Sequence, residues 1–218
     1  MSMTPEIENK LKGFEAFEGQ LFELSKEMLS AGQGLYPLDN FAIGVINRSL
    51  ALISGFVLLI RNSNYIGAAH LTRPHLDNYL RFYAAWQVSD PHDFAMQTMK
   101  GVRIEKLKDR NGNSLKDSNL IKTASLDYPW MQNVYDQTSG FTHLSSKHIL
   151  TSGKLLDQEK RTIELAVSKF DKYVEDESRS EAIDCMSEIT RCIIKLLEGW
   201  IWTKNNEDKL EELRKHSG

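Results

Sequence analysis

The 218-residue chain is predicted to be an all-α antiparallel helical bundle. Three observations lead there. Apolar residues recur at three- and four-residue spacing over most of its length. The breaks between these stretches are short and are made of Gly, Asn, Asp or Pro, as helix stops and starts should be. No repeat, low-complexity tract or linker divides the chain, so one domain is expected over 1–218, with a core at about 5–204 and a charged tail at 205–218.

Taken in order, the first helix places Ile7, Leu11, Phe14, Leu21, Leu24 and Met28 on one face, with Thr4 as N-cap and Pro5 in the first turn. It should stop at Gly32-Gln33-Gly34. A second helix, capped by Asp39, runs to about Ile60 and is apolar nearly all round, so it belongs in the middle of the fold. Asn62-Ser63-Asn64 turns the chain into a third helix, about Tyr65 to Val88. Ser89-Asp90-Pro91 then starts a fourth, expected to reach Lys108. Asp109-Arg110-Asn111-Gly112-Asn113 is a strong turn signal. Beyond it a short helix is expected at about Asp117–Ser125, and Asp127-Tyr128-Pro129 opens another. Two β-branched stretches, Lys147–Thr151 and Arg161–Val167, predict one small hairpin within 147–167. The last helix should begin near Ser178. Its seam of Ala182, Met186, Ile189, Ile193, Leu196, Trp200 and Thr203 calls for a partner helix, in this chain or in a second copy.

Composition narrows the function. Hydrophobic residues make up 41% and charged residues 26%, the balance of a soluble globular chain. The net charge of −3 argues against a dedicated nucleic-acid coat. Two cysteines cannot build a disulfide scaffold or a zinc site of three or four sulfurs, and Cys185 and Cys192 stand about 10 Å apart along a helix, too far to bridge. The first ten residues lack the basic stretch and apolar core of a signal peptide, so a cytoplasmic location is expected. No membrane span is expected either: Ser49–Ile60 is shorter than the roughly 20 apolar residues a bilayer requires. The six histidines have no metal-ligand spacing and no glycine-rich phosphate loop is present, so neither a metal nor a cofactor is predicted.

The third helix carries an anomaly. With Arg73 set at zero, Ile66 and Ala84 fall at about +20°, Leu80 at about −20°, Ala69 at about −40° and Leu76 at about −60°. A guanidinium thus occupies the centre of an apolar stripe and needs a buried anion. Asp77, at about +40°, is the expected partner, with His70 and Arg81 continuing the ladder and His75 facing away. Pro74 should kink the helix where the ladder begins. Such a pair either locks helix packing or lines a cleft for a phosphate or carboxylate.

A second cluster lies in Val134–His148, where Tyr135, Ser139 and His143 follow one another at four-residue intervals on one helical face. These groups could relay protons or hold a phosphate, or His143 could simply cap the helix end. No third group for a Ser-His-Asp triad is specified by the sequence, since Asp136 points about 100° away and Ser139 lacks the nucleophile-elbow context.

Arg73, Asp77 and Arg81, followed by Tyr135, Ser139, His143 and Ser145, resemble the motifs of uncharacterised bacterial proteins related to the HEPN (higher eukaryotes and prokaryotes nucleotide-binding) superfamily. The resemblance spans roughly residues 40–204. It implies an antiparallel bundle, often a homodimer, of the kind found in phage-defence or toxin and antitoxin systems. Active HEPN ribonucleases carry an Arg separated from the His by four to six intervening residues, and Asp136, Gln137 and Thr138 stand in those positions here. The favoured expectation is therefore a dimeric HEPN-like protein binding an anionic ligand, nucleotide or protein partner through Arg73, Asp77, Arg81, Ser139 and His143. One alternative is a metal-independent ribonuclease using His143 with Arg81 and Tyr135, and another is a structural interaction subunit.

Overall fold

A computed structural model describes residues 3–142, 149, 151–157 and 161–209, the side chains of 139–142 excepted. It is mostly helical. In chain order the described elements are α1 (Pro5–Glu15), α2 (Phe17–Ser30), α3 (Pro37–Arg61), α4 (Tyr65–Gln87), α5 (Pro91–Met99), a 3-10 turn (Ile104–Lys106), α6 (Asp117–Asp127), α7 (Trp130–Thr142), β1 (Gly153–Asp157), β2 (Thr162–Leu165) and α8 (Asp176–Asn205). The two strands pair antiparallel, Leu155 opposite Ile163.

The expected first helix is two. Ala16 closes α1 with its N–H on the Lys12 carbonyl at 3.1 Å, and α2 starts afresh from it. Both bury a narrow stripe, Ile7, Leu11 and Phe14 on α1 and Leu21, Leu24 and Met28 on α2. Asp39 does not cap α3. Tyr36 does, and Asp39 sits three residues into the helix, where its carboxylate accepts the Tyr36 N–H at 2.8 Å.

Helix α3 packs against α1, α2, α4, α5 and α8 through Ala42, Ile46, Ile53, Phe56 and Ile60, as its apolar character predicts. By length and composition alone it could also cross a membrane. Ser63, at φ 51°, makes the tight turn into α4. There Asn64 caps the helix by accepting the Gly67 N–H at 3.0 Å, and Asp171 accepts the Tyr65 N–H at 2.7 Å, so two orphan donors are satisfied.

Helix α5 ends at Met99 rather than Lys108. Gly101, at φ +87°, takes the left-handed conformation that stops it. The predicted turn at Asp109–Asn113 is present, with the Asp109 carboxylate accepting the N–H groups of Asn111 and Asn113 at 2.9 and 2.8 Å. The hairpin falls within 147–167, but its first strand is Gly153–Asp157 and not Lys147–Thr151. Of that expected strand, residues 147, 148 and 150 lie outside the described residues, Ile149 is helical and Thr151 is in a turn.

Helix α8 finds its partners inside the chain, on α1, α2 and α4. Its buried stripe runs through Ile183, Met186, Thr190, Ile193, Leu197, Trp200 and Lys204, while Ala182, Leu196 and Thr203 lie at the margin. Residues from all eight described helices meet in one continuous apolar core. Burial of this kind, worth about 25 cal/mol per Å² of apolar surface, is the main stabilising contribution.

Candidate functional site

The polar anomaly of α4 is real, but Arg73 is not its buried member. Helix α4 is enclosed by α3, α8 and the α6–α7 pair, and its buried residues include Thr72, His75, Asn78 and Tyr79. A single-stripe wheel cannot represent a helix covered on several sides. Arg73, Asp77 and Arg81 therefore lie together at the rim where α4 meets α6 and α7, with side chains 22, 24 and 22% exposed.

The expected Arg73–Asp77 pair is replaced by a longer chain of contacts. Asp77 takes Arg48 of α3 on one oxygen at 2.9 Å and Arg81 on the other at 3.0 Å. Arg81 reaches on to Asp117, the first residue of α6, and Nη1 of Arg81 approaches the Leu115 carbonyl at 3.5 Å. Asp117 is shared with Arg73, whose Nη2 is 3.7 Å away. Arg73 in turn lays its guanidinium over the Tyr135 ring, 3.6 Å from the centroid, and donates from Nη1 to the Tyr135 carbonyl at 3.0 Å. Among the described residues three cations thus share two carboxylates.

This arrangement brings the two sequence clusters together through Arg73 and Tyr135. Ser139 is one turn beyond Tyr135 on α7, although its side chain is outside the description. His143 and Ser145, placed in the site from sequence, lie outside the described residues. His70 leaves the ladder: its Nδ1 meets the Ile66 carbonyl of its own helix at 2.7 Å. Helix α4 runs unbroken through Pro74.

His75, set aside in the sequence as facing away, points into the core. It is fully buried, and Nε2 lies 2.8 Å from the Thr190 hydroxyl. That hydroxyl donates to the Met186 carbonyl at 2.8 Å, so His75 donates through Nε2 and keeps a lone pair on Nδ1, for which no partner is present among the described residues. Burial first, and then the Arg48 charge, pushes its pKa down to about 3. The ring is neutral.

Sequence reasoning missed Arg48 and Asp117. Each left a trace: Arg48 is a cation inside an otherwise apolar helix, and Asp117 stands at a helix start. It also missed a second network at the far end of α8. There the Lys204 ammonium, 0% exposed, donates to Asp39 at 2.9 Å and to the Met28 carbonyl at 2.7 Å. Trp200 Nε1 holds the other Asp39 oxygen at 2.7 Å. Both Asp39 oxygens are thus hydrogen-bonded, and the ammonium has a carboxylate and a carbonyl as acceptors.

A cleft of about 510 Å³ lies between α4, α7 and α8, lined by Thr72, Thr138, Gln137, Glu181 and Cys185 among others. Burial pushes the Cys185 thiol up to about 12, so it stays protonated and a poor nucleophile. Among the described residues no group of three His, Cys, Asp or Glu could hold a metal ion. No family model, curated protein or solved structure matches the chain.

Proposed function

We propose that the protein is a HEPN-like helical protein that binds a phosphate-bearing anion at the rim of α4, with Arg73 as principal receptor. The observation behind this reading is the charge imbalance in the network. Among the described residues Arg48, Arg73 and Arg81 share only Asp77 and Asp117, and Arg73 has the poorest share, its carboxylate contact being 3.7 Å long. Its guanidinium is meanwhile held in place by the Tyr135 ring and carbonyl. A fixed, under-neutralised guanidinium suits phosphate, which takes two N–H bonds in parallel. A nucleotide or an RNA phosphate are the ligands of this class.

Cleavage of RNA is not part of the proposal. It would require Arg81 to leave both Asp77 and Asp117. Binding is tested by titrating inorganic phosphate and AMP into the protein and into Arg73→Met, following amide chemical shifts on α4 and α7. Saturable shifts that vanish in the variant are expected. No shifts in the wild-type protein, together with a more stable Arg73→Met variant, would show the network to be purely structural.

A further inference from the structure

The cleft between α4, α7 and α8 takes no part in the phosphate binding proposed above, and its chemistry is of the opposite sign. Its volume of about 510 Å³ is that of a small-molecule site. Arg73 and Tyr135 are absent from its lining, and among the described lining residues Glu181 is the single charged one. The lining is graded in depth. Ala69, Thr72 and Thr138 form the floor, 3, 4 and 6% exposed, whereas Asn133, Gln137 and Glu181 stand exposed at the mouth.

Two observations point to an occupant. The first is on the floor. A buried hydroxyl in a helix ordinarily finds a partner, often the carbonyl four residues back. Thr138 does so, donating to the Val134 carbonyl at 2.6 Å, and its oxygen keeps lone pairs to accept. The Thr72 hydroxyl has no hydrogen-bond partner among the described residues, so both its donor and its acceptor remain open on the cleft. A ligand group that donates and accepts, a hydroxyl above all, suits this pair.

The second is at the mouth, where the Glu181 carboxylate has no ion pair or hydrogen bond among the described residues. The described cations that touch this part of α8 are committed to other acids, Arg179 to Asp171 and Asp176 at 3.6 and 2.8 Å and Lys10 to Asp184 at 2.7 Å. Tyr65 lines the same cleft within the field of Glu181. Burial first, and then the Glu181 charge, raises its phenol above the ordinary pKa, so the ring stays a neutral aromatic. A carboxylate and a neutral aromatic ring together receive an ammonium group. We infer that the cleft binds a small organic amine, its ammonium group between Glu181 and Tyr65 and a hydroxyl at its other end against Thr72 and Thr138.

Three probes of one length and different charge test this: aminobutanol, butanediol and hydroxybutyrate, each with its groups at opposite ends of a four-carbon chain. Binding is followed by the amide chemical shifts of Ala69 and Ala182. Ala182 stands on α8, away from the Arg73 rim, so an anion held at that rim is not mistaken for occupancy of the cleft. Aminobutanol should give saturable shifts at both residues, the diol should bind about tenfold more weakly, and hydroxybutyrate should leave Ala182 unmoved. Glu181→Gln should bring aminobutanol down to the level of the diol without disturbing the fold, because Glu181 is exposed. Thr72→Val removes the hydroxyl at nearly constant volume. It should leave thermal stability undiminished, since no bond within the protein is lost, and should erase the preference for aminobutanol over butylamine. The inference is overturned if aminobutanol does not move Ala182, if the diol binds equally well, or if Glu181→Gln keeps full affinity for aminobutanol. A destabilised Thr72→Val variant would overturn it too, by showing that the hydroxyl already has a partner in the fold.

Discussion

The two polar networks of this bundle use similar groups for opposite ends. At the far end of α8, Lys204 and Asp39 are 0 and 2% exposed, and Met28, Tyr36 and Trp200 supply further hydrogen bonds. At the rim of α4, Arg48, Arg73 and Arg81 share two carboxylates and remain about 22 to 45% exposed. The first network is closed and pairs one cation with one carboxylate, whereas the second is open and, among the described residues, has one cation more than it has carboxylates. A buried pair of opposite charges locks helix ends together, whereas a solvated, unbalanced one can exchange partners at little cost. Solvent access and surplus charge, more than residue type, are what separate a lock from a receptor.

The largest effect should come from breaking the lock on one side only. Lys204→Met leaves the Asp39 carboxylate buried without its cation, a loss of about 3–5 kcal/mol. Thermal or denaturant unfolding would measure it. The double variant Asp39→Leu/Lys204→Met should recover much of that stability, because the uncompensated charge is gone. A double variant as unstable as the single one would mean that the hydrogen bonds to Tyr36 and Trp200, rather than the charge, dominate.

Next in size is a pH effect that links the core to the rim. His75 has a folded-state pKa of about 3 against about 6.5 when unfolded, a depression caused by burial and then by the Arg48 charge. Above pH 6.5 the ring is neutral in both states and contributes no slope. Below it the unfolded chain takes up a proton that the folded one refuses, so stability should fall by about 1.4 kcal/mol per pH unit toward pH 3. Urea midpoints between pH 5 and 7 in wild-type and His75→Gln protein check this, and the variant should lack the slope. Equal slopes in both would remove His75 as its source.

The difference between the networks also explains what could be read in advance. The long helices α3, α4 and α8 were legible because apolar spacing and Asn, Asp or Pro punctuation agree there. The rim was partly legible, since Arg73, Asp77, Arg81 and Tyr135 stand out in sequence, yet their pairing depends on Asp117 and Arg48, which no local pattern connects to them. The lock was invisible. Asp39 resembles an N-cap and Lys204 closes the expected core just before the charged tail, and only folding brings together residues 165 positions apart. His75 was misjudged because α4 buries more than one face.

At the rim, smaller losses are expected. Arg81→Met removes the link between Asp77 and Asp117, but Arg48 still holds the first and Arg73 can move toward the second, so about 1–2 kcal/mol is the expected cost in a urea titration. Smallest of all should be Tyr135→Leu. The ring holds the Arg73 guanidinium by its face, a contact worth about 0.5–1 kcal/mol at a partly exposed site, while the Tyr135 carbonyl that accepts from Arg73 belongs to the backbone and survives the substitution. Leucine keeps most of the apolar contact with α4. Stability should therefore hardly change, whereas phosphate affinity, which depends on Arg73 being held in place, should drop several-fold. A variant that loses both together would place Tyr135 with the lock, as packing; one that loses affinity alone separates receptor from scaffold within a single side chain.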